Sequence, residues 1–193
     1  MRCGVLALQG DWTAHLGVLR HLGADAVPVR TAAELALVDG LVLPGGESTA
    51  MLRLMESEAL VDRIQQRVSD GMPVLATCAG IILLATEIEP PQPSIASLDV
   101  SVRRNAFGRQ VHSDVVTIQL APELGPPSTT RGIFIRAPRI TRVGPEVEVL
   151  GRRDGEPVLV RQGSLLAATY HPELTGDDRV HRWLVTAPES VHG

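Results

Sequence analysis

Residues 73–84 read Pro-Val-Leu-Ala-Thr-Cys-Ala-Gly-Ile-Ile-Leu-Leu, and this stretch decides the fold. A short apolar strand pattern comes first, small residues surround Cys78, and an apolar run suited to a helix follows. This order predicts a sharp turn from strand to helix, the geometry that presents a nucleophile at the carboxyl edge of a sheet. A thiol there faces the positive end of the following helix, which stabilises the thiolate. The stretch alone fits a nucleophile and an ordinary buried cysteine equally well.

The chain before this turn alternates strand and helix patterns. Residues 3–8 predict a strand, and apolar residues recur at helical spacing from Trp12 to Leu22, with Asp11 as N-cap and Gly23 as the stop. The same reading predicts strands at 26–29, 41–43 and 74–77 and helical segments at 32–37, 50–54 and 60–68. Such β-α-β order predicts a mostly parallel sheet with right-handed crossovers.

The pattern of residue types changes after Thr86, where prolines interrupt any helix and a β-rich half begins. The predicted strands of this half are 115–120, 133–135, 147–150, 158–160 and 165–170, and a last helix is predicted at 178–185. Asp154-Gly155 indicates a hairpin turn. We expect residues 1–193 to form a single domain.

Composition limits the classes of function. The formal net charge of −4 gives no basic surface for nucleic acid. No apolar run is long enough to span a bilayer, and the first residues lead into a strand pattern rather than a signal peptide, so we expect a cytoplasmic protein without membrane contact. The two cysteines, Cys3 and Cys78, form no disulfide framework and no metal-ligand pattern. We expect no metal and no cofactor.

All 18 basic residues are arginine, and the chain contains no lysine. A side-chain Schiff base and the phosphate-binding lysine of P-loop enzymes are therefore excluded.

A second motif lies near the carboxyl end, where His171 follows a predicted strand and Glu173 comes two residues later. In an extended segment, residues two apart point to the same side. A thiol, an imidazole that can take its proton and a carboxylate that orients the imidazole are the groups needed for acyl transfer through a thioester. The backbone N–H of Ala79 and the glycine turn at Gly45-Gly46 are predicted to form the oxyanion hole.

Five segments together resemble the family of glutaminase subunits of pyridoxal 5′-phosphate synthase, which belongs to the class I (triad) glutamine amidotransferases. These segments are Pro-Gly-Gly-Glu-Ser-Thr at 44–49, Ala-Thr-Cys-Ala-Gly at 76–80, Arg-Asn-Ala-Phe-Gly-Arg-Gln at 104–110, Phe-Ile-Arg-Ala-Pro at 134–138 and Tyr-His-Pro-Glu-Leu-Thr at 170–175. The resemblance covers nearly the whole chain. It implies a three-layer α/β/α, flavodoxin-like fold with a mostly parallel sheet flanked by helices.

The resemblance also implies an activity, a site and a partner. The activity is hydrolysis of L-glutamine to L-glutamate and ammonia, with Cys78 as nucleophile, His171 as acid and base, and Glu173 orienting His171. The residues it implies for binding L-glutamine are Gly46, Glu47, Ser48, Arg104, Ile135 and Arg136. The ammonia passes to a synthase (lyase) subunit in a hetero-oligomeric complex, and the absence of lysine fits this division, because the sugar-carbonyl chemistry needs a lysine.

Three positions depart from the family pattern. Ala76 replaces a glycine beside the nucleophile, Tyr170 replaces a more frequent Phe, and His112 stands where an acidic residue is usual. Three alternatives stay open at this point. They are an amidotransferase that feeds another synthase such as that of imidazole glycerol phosphate, a cysteine hydrolase or redox sensor that does not use glutamine, and a non-catalytic regulatory subunit.

Overall fold

The structure is a computed structural model that describes residues 1–104 and 114–187. Residues 105–110 of the Arg-Asn-Ala-Phe-Gly-Arg-Gln segment, and His112, lie outside the described residues.

Strands and helices alternate through the first half, as predicted. The elements are β1 (Arg2–Leu6), α1 (Trp12–His21), β2 (Asp25–Val29), α2 (Ala32–Leu35), β3 (Gly40–Leu43), α3 (Ser48–Ser57), α4 (Leu60–Ser69), β4 (Val74–Thr77) and α5 (Ala79–Leu84). Gly23 has a φ of +82° directly after α1, so the predicted helix stop at this glycine is confirmed.

The second half is β-rich, also as predicted. It contains β5 (Ala85–Glu89), β6 (Leu98–Arg103), β7 (Asp114–Leu120), β8 (Thr129–Phe134), β9 (Arg139–Val143), β10 (Glu148–Arg153), β11 (Glu156–Gln162), β12 (Leu165–Ala168) and α6 (Arg179–Thr186). Two 3₁₀ turns, Pro122–Leu124 and Pro172–Leu174, lie between these elements. The predicted hairpin at Asp154-Gly155 joins β10 to β11.

Within the described ranges, nine strands form one large sheet in the order β2-β1-β3-β4-β12-β11-β10-β7-β8. The strands from β2 to β12 in this order pair in parallel, and those from β11 to β8 extend the sheet with antiparallel pairs. β4 and β12 are parallel neighbours at the centre. The residues that follow these two strands therefore meet at one edge of the sheet, and they include Cys78 and His171.

Helices cover both faces of the sheet. Leu16 and Leu19 of α1 pack with Val180 and Leu184 of α6 in one core cluster, whereas α3, α4 and α5 contribute to the cluster on the opposite face. Successive strand residues enter opposite clusters, which is the two-residue period of a strand buried on both sides. The predicted three-layer α/β/α fold is confirmed.

The structure refines two details of the sequence analysis. Asp11 occupies the predicted N-cap position of α1, but its side chain caps no backbone N–H and instead accepts from the Thr13 hydroxyl at 3.0 Å. The helix predicted at 32–37 ends at Leu35.

Strands β5, β6 and β9 were not predicted at all. They form a separate three-stranded sheet in the order β5-β6-β9, and its apolar side chains extend the core beside α5. Along the part of the chain that the structure describes, no helix is long and apolar enough to cross a bilayer.

Gly80 in α5 provides a test of the packing between the helix and the sheet. A Cβ at Gly80 would lie 2.1 Å from the backbone oxygen of Leu43 in β3, which cannot move aside without disturbing the sheet. We expect Gly80→Ala to lower the free energy of unfolding by about 3 kcal/mol, measured by chemical denaturation.

Gly17 is the matched control because it is exposed in α1 and a Cβ there meets no atom within 4 Å. Gly17→Ala should raise the free energy of unfolding by about 0.5–1 kcal/mol, since alanine favours a helix. Equal effects of the two substitutions would contradict the close approach of α5 to β3.

Candidate active site

Cys78 lies at the turn between β4 and α5 in a backbone conformation that residues other than glycine rarely adopt. Its φ is 48° and its ψ is −110°, and its N–H donates to the carbonyl of Ala168 in β12 at 2.9 Å. Backbone strain of this kind persists only where the surrounding structure enforces it, and it is concentrated at functional sites. The sharp turn predicted at Cys78 is confirmed.

Ala76 lies in β4 and not in the turn itself. It pairs with Leu43 and Ala167 on the neighbouring strands, and its fully buried methyl group belongs to the core cluster shared with α3, α4 and α5. The methyl group that replaces the hydrogen of glycine is therefore accommodated by core packing.

The glycine turn after β3 closes against the reactive side chains. A Cβ at Gly45 would lie 2.6 Å from Cε1 of His171 and 3.2 Å from Cβ of Cys78. A Cβ at Gly10 would lie 1.9 Å from the carbonyl oxygen of Gly45. These approaches leave no room for side chains, so both glycines are required by contact.

His171 and Glu173 are held together by a hydrogen bond of 2.6 Å between Nδ1 and Oε1. The reasoning that predicted this contact from an extended segment is wrong, because Glu173 lies in the 3₁₀ turn Pro172–Leu174 that follows His171. The turn brings the carboxylate back beneath the imidazole. The Glu173 side chain is only 1% exposed, whereas His171 reaches the surface of a cavity.

The electrostatics of the pair favour a protonated imidazole. Burial opposes the charge on His171, but hydrogen bonds with Cys78 and Glu173 outweigh it and raise the pKa of His171 to about 10. Burial also opposes the charge on Glu173, yet hydrogen bonds from His15 and His171 hold its pKa far below the usual range. An imidazolium beside a thiol favours the thiolate, the reactive form.

The predicted site residues surround one cavity of about 290 Å³, a size suited to a small ligand. Its lining includes Gly45, Gly46, Glu47, Ser48, Cys78, Ala79, Arg104, Ile135, Arg136 and His171. Glu173 lies behind His171 and does not line the cavity. The structure thus brings all the predicted residues to one place, and their individual roles stay predictions.

Glu47 has a structural contact that the sequence analysis missed. Its carboxylate caps α3 by accepting from the N–H groups of Thr49 and Ala50, and Arg104 lies 3.5 Å away. Slight burial tends to raise the pKa of Glu47, but the hydrogen bonds from these backbone N–H groups outweigh it and hold the pKa below its usual value. The cap fixes a carboxylate and a guanidinium side by side at the rim of the cavity.

The remaining predicted binding residues lie on two sides of the cavity. The Ser48 hydroxyl is buried and donates to Oε1 of Gln92 at 3.0 Å. On the other side, the carbonyl of Ile135 accepts a long hydrogen bond of 3.8 Å from Sγ of Cys78. Arg136 is exposed and has a φ of 46°, which turns the chain at the cavity rim.

Sequence reasoning missed a group of three buried residues behind the triad, of which His15 contacts Glu173. His15 of α1 lies 3.4 Å from Oε1 of Glu173, and it also contacts Thr77 and His181. Both histidines are fully buried. A signal for them was present, since each falls on the apolar stripe of its helix, where a polar side chain requires a partner.

Gln9, which was not predicted as a site residue, lines the cavity and accepts from the N–H of Glu47 at 2.6 Å. Among the side chains that the structure describes, no group of three His, Cys, Asp or Glu residues is arranged to hold a metal ion.

Comparison with known proteins places these features in a family. The model of the SNO glutamine amidotransferase family matches residues 5–190. The chain is 52% identical to the protein named "Pyridoxal 5'-phosphate synthase subunit PdxT" from a Parafrankia species, over all of this chain and 95% of that protein. It is 47% identical to the protein of the same name from Thermotoga neapolitana, over 96% of this chain and 98% of that protein.

Solved structures agree with this match. A crystal structure of a glutamine amidotransferase superposes with a TM-score of 0.87 at 44% identity, covering 95% of this chain and 96% of that chain. The structure of PurLQS from Thermotoga maritima superposes with a TM-score of 0.71 at 16% identity over 97% of this chain and 98% of that chain, and it supports the fold alone.

The raised pKa of His171 is open to a direct test. Replacing Glu173 by Gln removes the negative charge that supports the imidazolium, so we expect the pKa of His171 to fall from about 10 towards the usual histidine value. The titration of the His171 ring is followed by NMR.

Glu146→Gln is the control, since it removes an equal charge from an exposed position and should leave the titration unchanged. An unaltered pKa of His171 in Glu173→Gln would mean that the carboxylate does not support the imidazolium.

Proposed function

Because the chain belongs to the SNO glutamine amidotransferase family, we propose that it hydrolyses L-glutamine to L-glutamate and ammonia through a Cys78, His171 and Glu173 triad. We propose further that it does so as the glutaminase subunit of pyridoxal 5′-phosphate synthase. The observation that carries the proposal is a strained cysteine beside a histidine whose imidazole a buried carboxylate holds at 2.6 Å, all at one small cavity.

The first half of the reaction forms a thioester. The Cys78 thiolate attacks the side-chain amide carbon of glutamine, and the carbonyl electrons move onto oxygen. The N–H of Ala79 and the Gly45-Gly46 turn are the proposed donors to that oxyanion, each contributing about 3–4 kcal/mol to the transition state. The C–N bond then breaks as the imidazolium of His171 gives its proton to the leaving nitrogen. Ammonia departs, and a γ-glutamyl thioester stays on Cys78.

The second half returns the enzyme to its starting state. His171, now neutral, takes a proton from water while the water oxygen attacks the thioester carbon. The C–S bond breaks, the new γ-carboxyl group gives its proton to solvent as glutamate leaves, and Cys78 and His171 recover the thiolate and the imidazolium. Glu173 keeps the imidazole oriented through both halves, because its carboxylate accepts from Nδ1.

The cavity rim carries the charges that a free amino acid requires. We propose that Arg104 binds the α-carboxylate and that the carboxylate of Glu47, with the carbonyl of Ile135, receives the α-ammonium. Gly46, Ser48 and Arg136 complete the binding site. The support for this assignment is that Glu47 and Arg104 are held 3.5 Å apart at the cavity where Cys78 lies.

The proposed partner is the synthase (lyase) subunit, in a hetero-oligomeric complex that receives the ammonia. The names of the relatives support this assignment over a different synthase. The absence of lysine supports a separate subunit that uses the ammonia. We propose that residues 1–193 act as one glutamine amidotransferase domain in the cytoplasm, without binding nucleic acid or membrane. Two core clusters that share one sheet support the single domain.

The two cysteines offer a matched test of the nucleophile. Cys78→Ala should lower ammonia release from L-glutamine by roughly 10⁴-fold or more, because the thioester cannot form. Ammonia is measured with the synthase subunit present. A glutamine-analogue electrophile should label wild-type Cys78, and L-glutamine should block that labelling.

Cys3→Ala is the control, since Cys3 is fully buried and burial raises the pKa of its thiol to about 11. It should retain turnover. Ammonia release that survives Cys78→Ala would remove Cys78 from the reaction, and failure of wild type to release ammonia would leave the regulatory-subunit alternative.

Neighbouring arginines test the binding of substrate. Arg104→Gln should raise KM for glutamine on the order of tenfold while kcat changes little, because the α-carboxylate is bound equally in ground and transition states. Steady-state kinetics with the synthase subunit present measure both constants.

Arg103→Gln is the control because Arg103 points away and bonds Glu89 at the surface at 2.8 Å. It should leave KM unchanged. A similar rise in KM for both variants would indicate a general loss of positive charge rather than a bound carboxylate.

A further inference from the structure

His15 is a polar residue in an apolar environment. It lies on the face of α1 that carries Leu16 and Leu19 into the core, and it is completely buried. A buried imidazole without hydrogen bonds costs free energy, so its contacts need an account. It is not among the residues that line the cavity.

Both ring nitrogens of His15 have partners. Nε2 lies 3.4 Å from Oε1 of Glu173 and 3.2 Å from Oγ1 of Thr77. Nδ1 lies 2.9 Å from Nε2 of His181 in α6. The other carboxylate oxygen of Glu173 and the Nδ1 of His181 are buried, and neither has a hydrogen-bond partner among the described residues.

These contacts select one arrangement of protons. If Nε2 of His15 carries the proton, it donates towards Glu173 and Thr77, and Nδ1 accepts from the Nε2–H of His181. The orphan Nδ1 of His181 is then an unprotonated acceptor, and no buried N–H lacks a partner. Burial is the largest cause that lowers the pKa of His181, to about 3, which is consistent with a neutral ring there.

The other two placements of the protons on His15 leave a buried N–H group of His181 without a partner. With the proton on Nδ1, the lone pair of His15 Nε2 would face the Glu173 carboxylate, and His181 would bury an unpaired N–H. A doubly protonated His15 would donate from Nδ1 to Nε2 of His181, so the proton of His181 would lie on its buried Nδ1. Leaving that N–H without a partner costs free energy.

We propose that His15 is a positioning residue, a neutral imidazole that donates from Nε2 to Oε1 of Glu173 and so holds that carboxylate against His171. The role rests on the proposed glutaminase activity. Both imidazoles contact Oε1 of Glu173. The second carboxylate oxygen, Oε2, has no hydrogen-bond partner among the described residues that would prevent rotation of the carboxylate. The contact from α1 supplies that constraint, and His181 fixes the tautomer of His15.

The tautomers can be observed directly. Long-range ¹H–¹⁵N correlation spectra of the full chain distinguish neutral Nε2–H, neutral Nδ1–H and doubly protonated rings, with assignment from single histidine variants. At neutral pH we expect the Nε2–H pattern for His15 and for His181. A doubly protonated His15, or an Nδ1–H pattern, would overturn the proposal irrespective of enzyme activity.

Two substitutions separate the two ends of the imidazole. His15→Gln places an amide N–H near the position of Nε2 and keeps the donation to Glu173. His15→Asn retains an acceptor for His181 but is too short to reach Glu173. With the synthase subunit present, we expect His15→Asn to lower kcat about tenfold with unchanged KM, and His15→Gln to restore most of that loss. Thermal unfolding checks that both variants fold.

Combination with Glu173→Gln tests whether His15 acts through the carboxylate. If it does, His15→Asn should lower kcat no further once the charge of Glu173 is gone. The positioning role would be overturned if the kcat losses of His15→Asn and Glu173→Gln multiply in the double variant. It would also be overturned if His15→Asn and His15→Gln lose kcat equally and in proportion to their loss of thermal stability. If wild type hydrolyses no glutamine, the proposed function fails and the tautomer spectra alone decide the inference about His15.

Discussion

The hydrogen bond between the buried Glu173 carboxylate and His171 is the interaction on which the site depends. A carboxylate that is 1% exposed stays ionised only where hydrogen bonds replace its lost hydration. Its partners come from the segment after β12 and from α1, while His181 on α6 supports the second of them. The ionised carboxylate of Glu173 therefore requires the segment after β12, α1 and α6 to be packed together in this arrangement.

Backbone contacts impose a second constraint from the opposite side. Gly45 approaches His171 and Cys78 so closely that no side chain fits, and Gly10 packs on the carbonyl of Gly45 in turn. The rare backbone conformation of Cys78 is held between this turn and the hydrogen bond to β12. The result is a fixed thiol and imidazole facing a small cavity, which is the preorganisation that acyl transfer needs. The absence of lysine from the chain fits the proposed division of labour, in which a partner uses the ammonia.

Features carried by short stretches could be predicted from the sequence, and features formed through space could not. The alternation up to Cys78, the glycine turn and the His171-Glu173 motif are local patterns. β9 was missed because its side chains are mostly exposed and only Ile140 is buried. In β6, apolar and polar residues alternate along the sequence, and this strand pattern was overlooked. The contact of Glu47 with Arg104 and the His15–His181 pair depend on contacts between distant segments. The capping of α3 by Glu47 is local and was missed although it joins residues only two and three apart. Both histidines nonetheless interrupt apolar helix faces, which was a usable signal.

The central claim is that ammonia is released by way of a thioester on Cys78. The most direct measurement is mass spectrometry of the protein after rapid acid quenching during turnover of L-glutamine with the synthase subunit present. The account predicts a γ-glutamyl adduct on the peptide that contains Cys78, which appears before steady state and disappears when glutamine is exhausted. Steady release of ammonia with no adduct on Cys78 at any time, under quench conditions that preserve a synthetic thioester, would contradict it.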